Sequence, residues 1–200
     1  MKKSRILQLI GYGLILCSVV AVFTGQIYGR IAQGDNQQVV SQIEQILPPR
    51  IPGVTDRYSV MDMPVLQVKG QDYVALLEVP AYSIRLPVKN TWKASDLAGG
   101  PRRFFGTVYD GSLVIGGSDH SGQFDFLNRI QLGDAVMVTD MTGAQFTYSV
   151  SEIRRANSVP AQVLMEGTEG LTLFVKESFF LEYIIVRCVP DAAAYTYGAE

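Results

Sequence analysis

Residues 171–188 read LTLFVKESFFLEYIIVRC: an apolar run, a short break, and a second apolar run. Apolar, β-branched and aromatic residues bounded by turn formers make strands, so 171–175 and 183–188 are predicted to be neighbouring strands. Lys176 closes the first and Cys188 the second. Working outward, the same pattern recurs at 73–79, 84–88, 112–117, 135–140 and 145–153, the rhythm of an all-β barrel or sandwich. VMVTDMTGAQFTYSV, residues 136–150, is the clearest hairpin, with Thr142 and Gly143 in its turn. Short helices are expected at Ala94–Ala98 and Gln123–Ile130.

The N-terminus has a different character. Ile6–Tyr28 carries no charged residue and, at about 1.5 Å per residue, is long enough to cross a hydrocarbon core of roughly 30 Å. Lys2, Lys3 and Arg5 precede it, which places residues 1–5 in the cytoplasm and everything beyond the span outside the cell membrane. A cleaved signal peptide is the alternative, but the run is longer than a usual signal core and no clear small-x-small cleavage site follows. Residues 29–53 are expected to hold a juxtamembrane helix, with Val39, Val40, Ile43, Ile46 and Leu47 on one face, and then the helix-breaking PPRIPG of 48–53. Residues 54–200 form the external domain, 54–66 irregular.

The chain has 200 residues with 17 basic and 19 acidic side chains, so no basic excess points to nucleic acid. Cys17 falls within the apolar span and cannot pair with Cys188, so the external domain relies on its core without a disulfide. No cysteine and histidine cluster has metal-ligand spacing and no acidic cluster has calcium-loop spacing, so neither metal nor cofactor is expected.

Several stretches together resemble the sortases, membrane-anchored cysteine transpeptidases of Gram-positive surfaces. VALLEVPAYSIRLPVKNTW (74–92) is similar to the family's opening strand pair. GSLVIGGSDHSGQFDFLNRIQLGDAVMVTDMTGAQFTYSV (111–150) resembles the strand that ends in the catalytic histidine, the helix after it and the following hairpin. LTLFVKESFFLEYIIVRC resembles the strand ending in the catalytic cysteine and the strand opening with the catalytic arginine. The likeness spans Tyr73 to Val189 and implies a class B-like sortase fold: mainly β, a closed barrel of about seven to eight strands with short helices.

At the reactive positions the likeness stops. Thr172, Leu173 and Phe174 follow the Thr-Leu-x-Thr-Cys pattern, but Val175 replaces threonine and Lys176 stands at the cysteine. Ser118 follows Gly116 and Gly117 where the histidine is implied, and Tyr183 takes the arginine's place. Transpeptidation needs a thiolate, an acid for the leaving amine and an oxyanion donor. A lysine attacking a peptide carbonyl forms another amide, and an unperturbed serine has no pKa near neutrality. The expected protein is therefore catalytically inactive and works by binding, its partner an active sortase, a pilin or sorting-signal protein, or a cell-wall polymer.

Other readings stay open. Ser118 and Lys176 are implied to face each other, and a serine beside a neutral lysine is a hydrolytic arrangement; Asp119 and Glu177 argue for a charged lysine and a salt bridge. A sortase with displaced groups would use His120 and Cys188. A purely structural envelope component is the third. His120 reads as an exposed loop residue and Cys188 as a small buried hydrophobe. Phe179 and Phe180 fall in the loop that the resemblance places along the substrate groove, where they would line or fill it. The pairs Arg102–Arg103 and Arg154–Arg155 read as solvated loop or strand-end residues, or as contacts to an anionic wall polymer.

Overall fold

The computed structural model describes residues 12–16, 18, 34–55, 60–165, 170–177 and 182–191. Its strands are β1 (Ile51–Pro52), β2 (Leu66–Val68), β3 (Gln71–Val79), β4 (Ile84–Lys89), β5 (Arg102–Phe105), β6 (Ser112–Ser118), β7 (Ala135–Asp140), β8 (Ala144–Ala156), β9 (Gly170–Lys176) and β10 (Tyr183–Pro190). Eight of them close a ring in the order β3–β4–β5–β6–β9–β10–β8–β7 and back to β3. β1 adds in parallel to β8, and β2 adds antiparallel to β3. The fold is thus mainly β, a closed eight-stranded barrel with few helices.

Alternation along each strand sends one set of side chains into the barrel. Leu171, Leu173 and Val175 of β9, with Ile184, Val186 and Cys188 of β10 and Leu113 and Ile115 of β6, join the main core. Phe174, Val114 and Ile185 point the other way, yet they are buried as well, because Leu164 of helix α2 (Ala161–Met165) and the half-buried Trp92, Phe104 and Val159 cover them. Burial on both faces explains why β9 reads as one continuous apolar run. The β7–β8 hairpin turns at Thr142–Gly143 as expected, fixed by Asp140: its Oδ1 accepts hydrogen bonds from the Thr142 amide and hydroxyl and from the Ala144 amide, while Tyr109 donates to Oδ2 at 2.6 Å.

Residues 34–46 form helix α1. Val39, Val40 and Ile43 are buried against Val68, Tyr73 and Leu76, so α1 is packed on the barrel wall. Ile46, in its last turn, is 60 % exposed. After the prolines, Ile51 and Gly53 donate backbone hydrogen bonds to Gly143 and Gln145 at the start of the β8 ladder. The two short helices are 3₁₀ turns at Ala94–Gly99 and Asp125–Asn128.

The expected membrane span, 6–28, lies largely outside the described residues; among those described, no helix is long and apolar enough to cross a membrane. β5 departs from expectation. The sequence predicts a solvated Arg102, but it is 5 % exposed in the barrel wall, its guanidinium bonded to Thr91 O at 2.8 Å and to the Asp96 carboxylate.

Candidate functional site

β6, β9 and β10 are adjacent strands, and their register sets Ser118 beside Lys176 and Lys176 beside Tyr183. Neighbouring strands lie about 4.8 Å apart, so the three residues form one short row at the end of the barrel. All three belong to the outward-facing set: Val114, Gly116 and Ser118 on β6, Phe174 and Lys176 on β9, Tyr183 and Ile185 on β10.

Ser118 and Lys176 are each engaged with a different partner. Ser118 Oγ donates to Gln123 Oε1 at 2.9 Å, and Gln123 Nε2 donates to Ala98 O at 2.7 Å. Gln123 is 1 % exposed, so this relay ties the end of β6 to the 94–99 turn. Lys176 is exposed, and its ammonium lies 5.7 Å from the centre of the Tyr183 ring. Such a contact contributes on the order of 0.5–1 kcal/mol at an exposed site. Ser118 and Lys176 share a register pair but no hydrogen bond. Of the two carboxylates expected to favour a salt bridge here, Glu177 does not pair with Lys176, because alternation turns it to the opposite side. There it is 6 % exposed, with Oε1 3.3 Å from Arg155 Nη1 and Oε2 without a hydrogen-bond partner.

Below the row, the outer face of the sheet is sealed by aromatic rings. Trp92, Phe104 and Phe174 contact one another with centroids 4.9, 5.6 and 5.5 Å apart, two of the three pairs edge-to-face. Gly116 makes this possible: a Cβ there would lie 2.6 Å from both the Phe174 and Trp92 rings. Val159 and Leu164 extend the apolar cover, and Arg187 Nη2 holds α2 through the Val163 carbonyl at 3.0 Å. These rings cover the outer face of β6 and β9 below the row. The sequence reading missed these rings; the adjacent glycines Gly116 and Gly117 in a strand were the available signal of a close approach. Phe179 and Phe180 lie outside the described residues.

The displaced groups do not meet. Cys188 sits on the inward face, paired with Leu171 at the opposite end of β9 from Lys176, and is 3 % exposed. Burial pushes its thiol up to about 12, which leaves no thiolate near neutrality. His120 lies two residues beyond β6 with its side chain 46 % exposed, and its Nδ1 is 4.0 Å from Asp119. Among the described residues no group of three or more histidine, cysteine or acidic side chains could hold a metal ion. Of the other arginines, Arg103 is held by Asp62 and Asn90, and Arg155 by Glu177 and Asn128.

No family model and no curated protein matches the chain. Solved structures do. Sortase A of Listeria monocytogenes superposes with a TM-score of 0.54 at 16 % identity, covering 60 % of this chain and 87 % of that one. A sortase D5 transpeptidase of Clostridium perfringens gives 0.53 at 19 %, over 64 % and 82 %. Sortase C-1 of Actinomyces oris gives 0.51 at 20 %, over 79 % and 98 %. At such identities the likeness is one of fold: the barrel is a sortase-like barrel.

Proposed function

We infer that this chain is a sortase-fold protein without transpeptidase chemistry, anchored by its N-terminal apolar segment at a Gram-positive-type cell surface and working there by binding. The observation that carries the reading is the row Ser118–Lys176–Tyr183. The resemblance puts histidine, cysteine and arginine at those positions, and the register sets them side by side on three adjacent strands. An ammonium in place of the thiolate forms no acyl intermediate that turns over. The aromatic floor supports the same conclusion, since Trp92, Phe104 and Phe174 occupy the outer face beside that row. The partner is a component of surface-protein or pilus assembly: a sorting-signal protein, a pilin or an active sortase. The full-length protein in detergent is expected neither to cleave nor to transfer sorting-signal peptides, and to retain an envelope protein in pull-downs. Thiol-dependent turnover that disappears in Cys188→Ala would overturn this.

The register pairing also favours one competing reading, a hydrolase built on Ser118 and Lys176. It requires the lysine to take the serine's proton, whereas the hydroxyl is donated to Gln123. Labelling by a serine-directed activity probe that is lost in Ser118→Ala would establish it.

A further inference from the structure

The aromatic cover stops short of the end of β5. There the surface opens into a cleft of about 300 Å³ in which Asp62, Asn90 and Arg103 come together with Trp92, Phe104 and Phe105. Arg103 organises the polar side: Nη1 reaches Asp62 Oδ1 at 2.5 Å and Nη2 reaches Asn90 Oδ1 at 2.6 Å. The Asp62 carboxyl is held below its ordinary value by that bond and by the Met63 amide, so it stays ionised beside the guanidinium. One cation and one anion cancel, and the cleft carries no net charge to attract an anion.

What remains unused has a specific pattern. Asp62 Oδ2, an acceptor, and Asn90 Nδ2, a donor, have no partner among the described residues, while Asp62 Oδ1 and Asn90 Oδ1 are fixed by Arg103. Phe105 beside them is 45 % exposed. An oriented donor and acceptor next to an exposed ring suit a ligand with paired hydroxyls, each both donor and acceptor, and a C–H face that lies on an aromatic surface. A purely apolar ligand would strand the polar groups. An extended peptide lacks a template, because β5 has four residues and breaks register between Arg103 and Phe105.

We propose that this cleft is a binding site for a neutral saccharide, with hydroxyls on Asp62 and Asn90 and a ring face on the aromatic residues. The site is independent of whether the Ser118 row performs chemistry, so either conclusion can fail alone.

Trp92 is the single tryptophan of the chain and lines the cleft, which makes its emission the reporter. The full chain, held in a zwitterionic detergent that carries no sugar, is titrated with N-acetylglucosamine trimer and with cellotriose. A saturable change with at least one of them is expected, with Kd on the order of 1 mM, as befits a small open site. Asn90→Ala and Phe105→Ala should each weaken it by roughly tenfold, Phe105→Ala with the melting temperature little changed and Asn90→Ala with a fall of a few degrees, because Arg103 Nη2 loses its acceptor. The proposal is overturned if neither sugar gives a saturable response, if both variants bind as the parent does, or if only polyglutamate or a sorting-signal peptide produces the change.

Discussion

Lys176 is the register partner of Ser118, yet its ammonium lies over the Tyr183 ring while the serine's hydrogen goes to Gln123. The serine is therefore better described as the end of a structural relay than as half of a dyad. Ser118→Ala would leave the buried Gln123 Oε1 without its donor, at a cost of about 1–3 kcal/mol. For a chain of this size that corresponds to a fall in melting temperature of very roughly 2–10 °C. Ser118→Thr, which keeps the hydroxyl, should recover most of it. Thermal unfolding reads both variants, and equal stability of Ser118→Ala and the parent would remove the relay from the account.

The two glycines of β6 make a paired test of which face each strand residue presents. A Cβ at Gly116 meets Trp92 and Phe174 at 2.6 Å, and one at Gly117 meets Phe124 at 2.5 Å inside the barrel. Overpacking of this kind costs typically about 1–3 kcal/mol, so both alanine variants should be destabilised. Only Gly116→Ala should also shift the emission of Trp92, since Gly117 faces the interior. A shift of similar size from Gly117→Ala would contradict the assignment of faces.

These residues also mark how far the sequence could be read. The seven runs taken as strands are strands, because each is a local apolar pattern long enough to stand out. β1 and β2 are too short for any pattern, and β5 is hidden by arginines whose partners, Thr91, Asp96, Asp62 and Asn90, are distant or irregularly spaced in the chain. The pairing of Ser118 with Lys176 joins strands more than fifty residues apart, so only the family resemblance could supply it. The aromatic seal was not legible, for Trp92, Phe104 and Phe174 come from three separate segments and meet only because Gly116 lacks a side chain.

Cys188 supplies a pH prediction. Burial raises its folded pKa to about 12 from an ordinary value of 9.0, so the folded state holds a proton that the unfolded chain gives up. Its contribution is complete below the ordinary value and is lost progressively as pH rises from there towards 12. Tyrosines, with an ordinary value near 10, already contribute in the upper part of the window of roughly 8.5–9.5, so the difference between parent and Cys188→Ala is what isolates the thiol. In a Cys17→Ser background, the fall of unfolding free energy across that window should be shallower once Cys188→Ala is added. Alkylation of Cys188 in the folded protein should proceed only at the rate of opening; rapid native labelling would mean that the thiol is not where the barrel puts it.

The last prediction concerns what fastens α1 to the barrel. Ile43 is fully buried between Val68, Tyr73 and Leu76. Beside it, Glu78 of β3 receives Arg50 at 2.9 Å and Arg85 at 2.9 Å, and Arg85 reaches Glu44 of α1 at 2.6 Å. Apolar burial should dominate. Ile43→Ala removes a buried branched side chain and leaves a cavity, costing about 2–5 kcal/mol. Glu78→Ala leaves two arginines that are more than a third exposed and can turn to water, so about 1–3 kcal/mol is expected. Glu44→Ala breaks only exposed pairs and should cost about 0–1 kcal/mol, less still in high salt. Hydrogen exchange at residues 39–46 separates local from global effects. In the parent protein these amides should be protected nearly as well as those of β3, and Ile43→Ala should release them while β3 stays protected. If the helix already exchanges freely in the parent, or if Glu44→Ala costs as much as Ile43→Ala, then packing against Tyr73 and Leu76 is not what holds α1 in place.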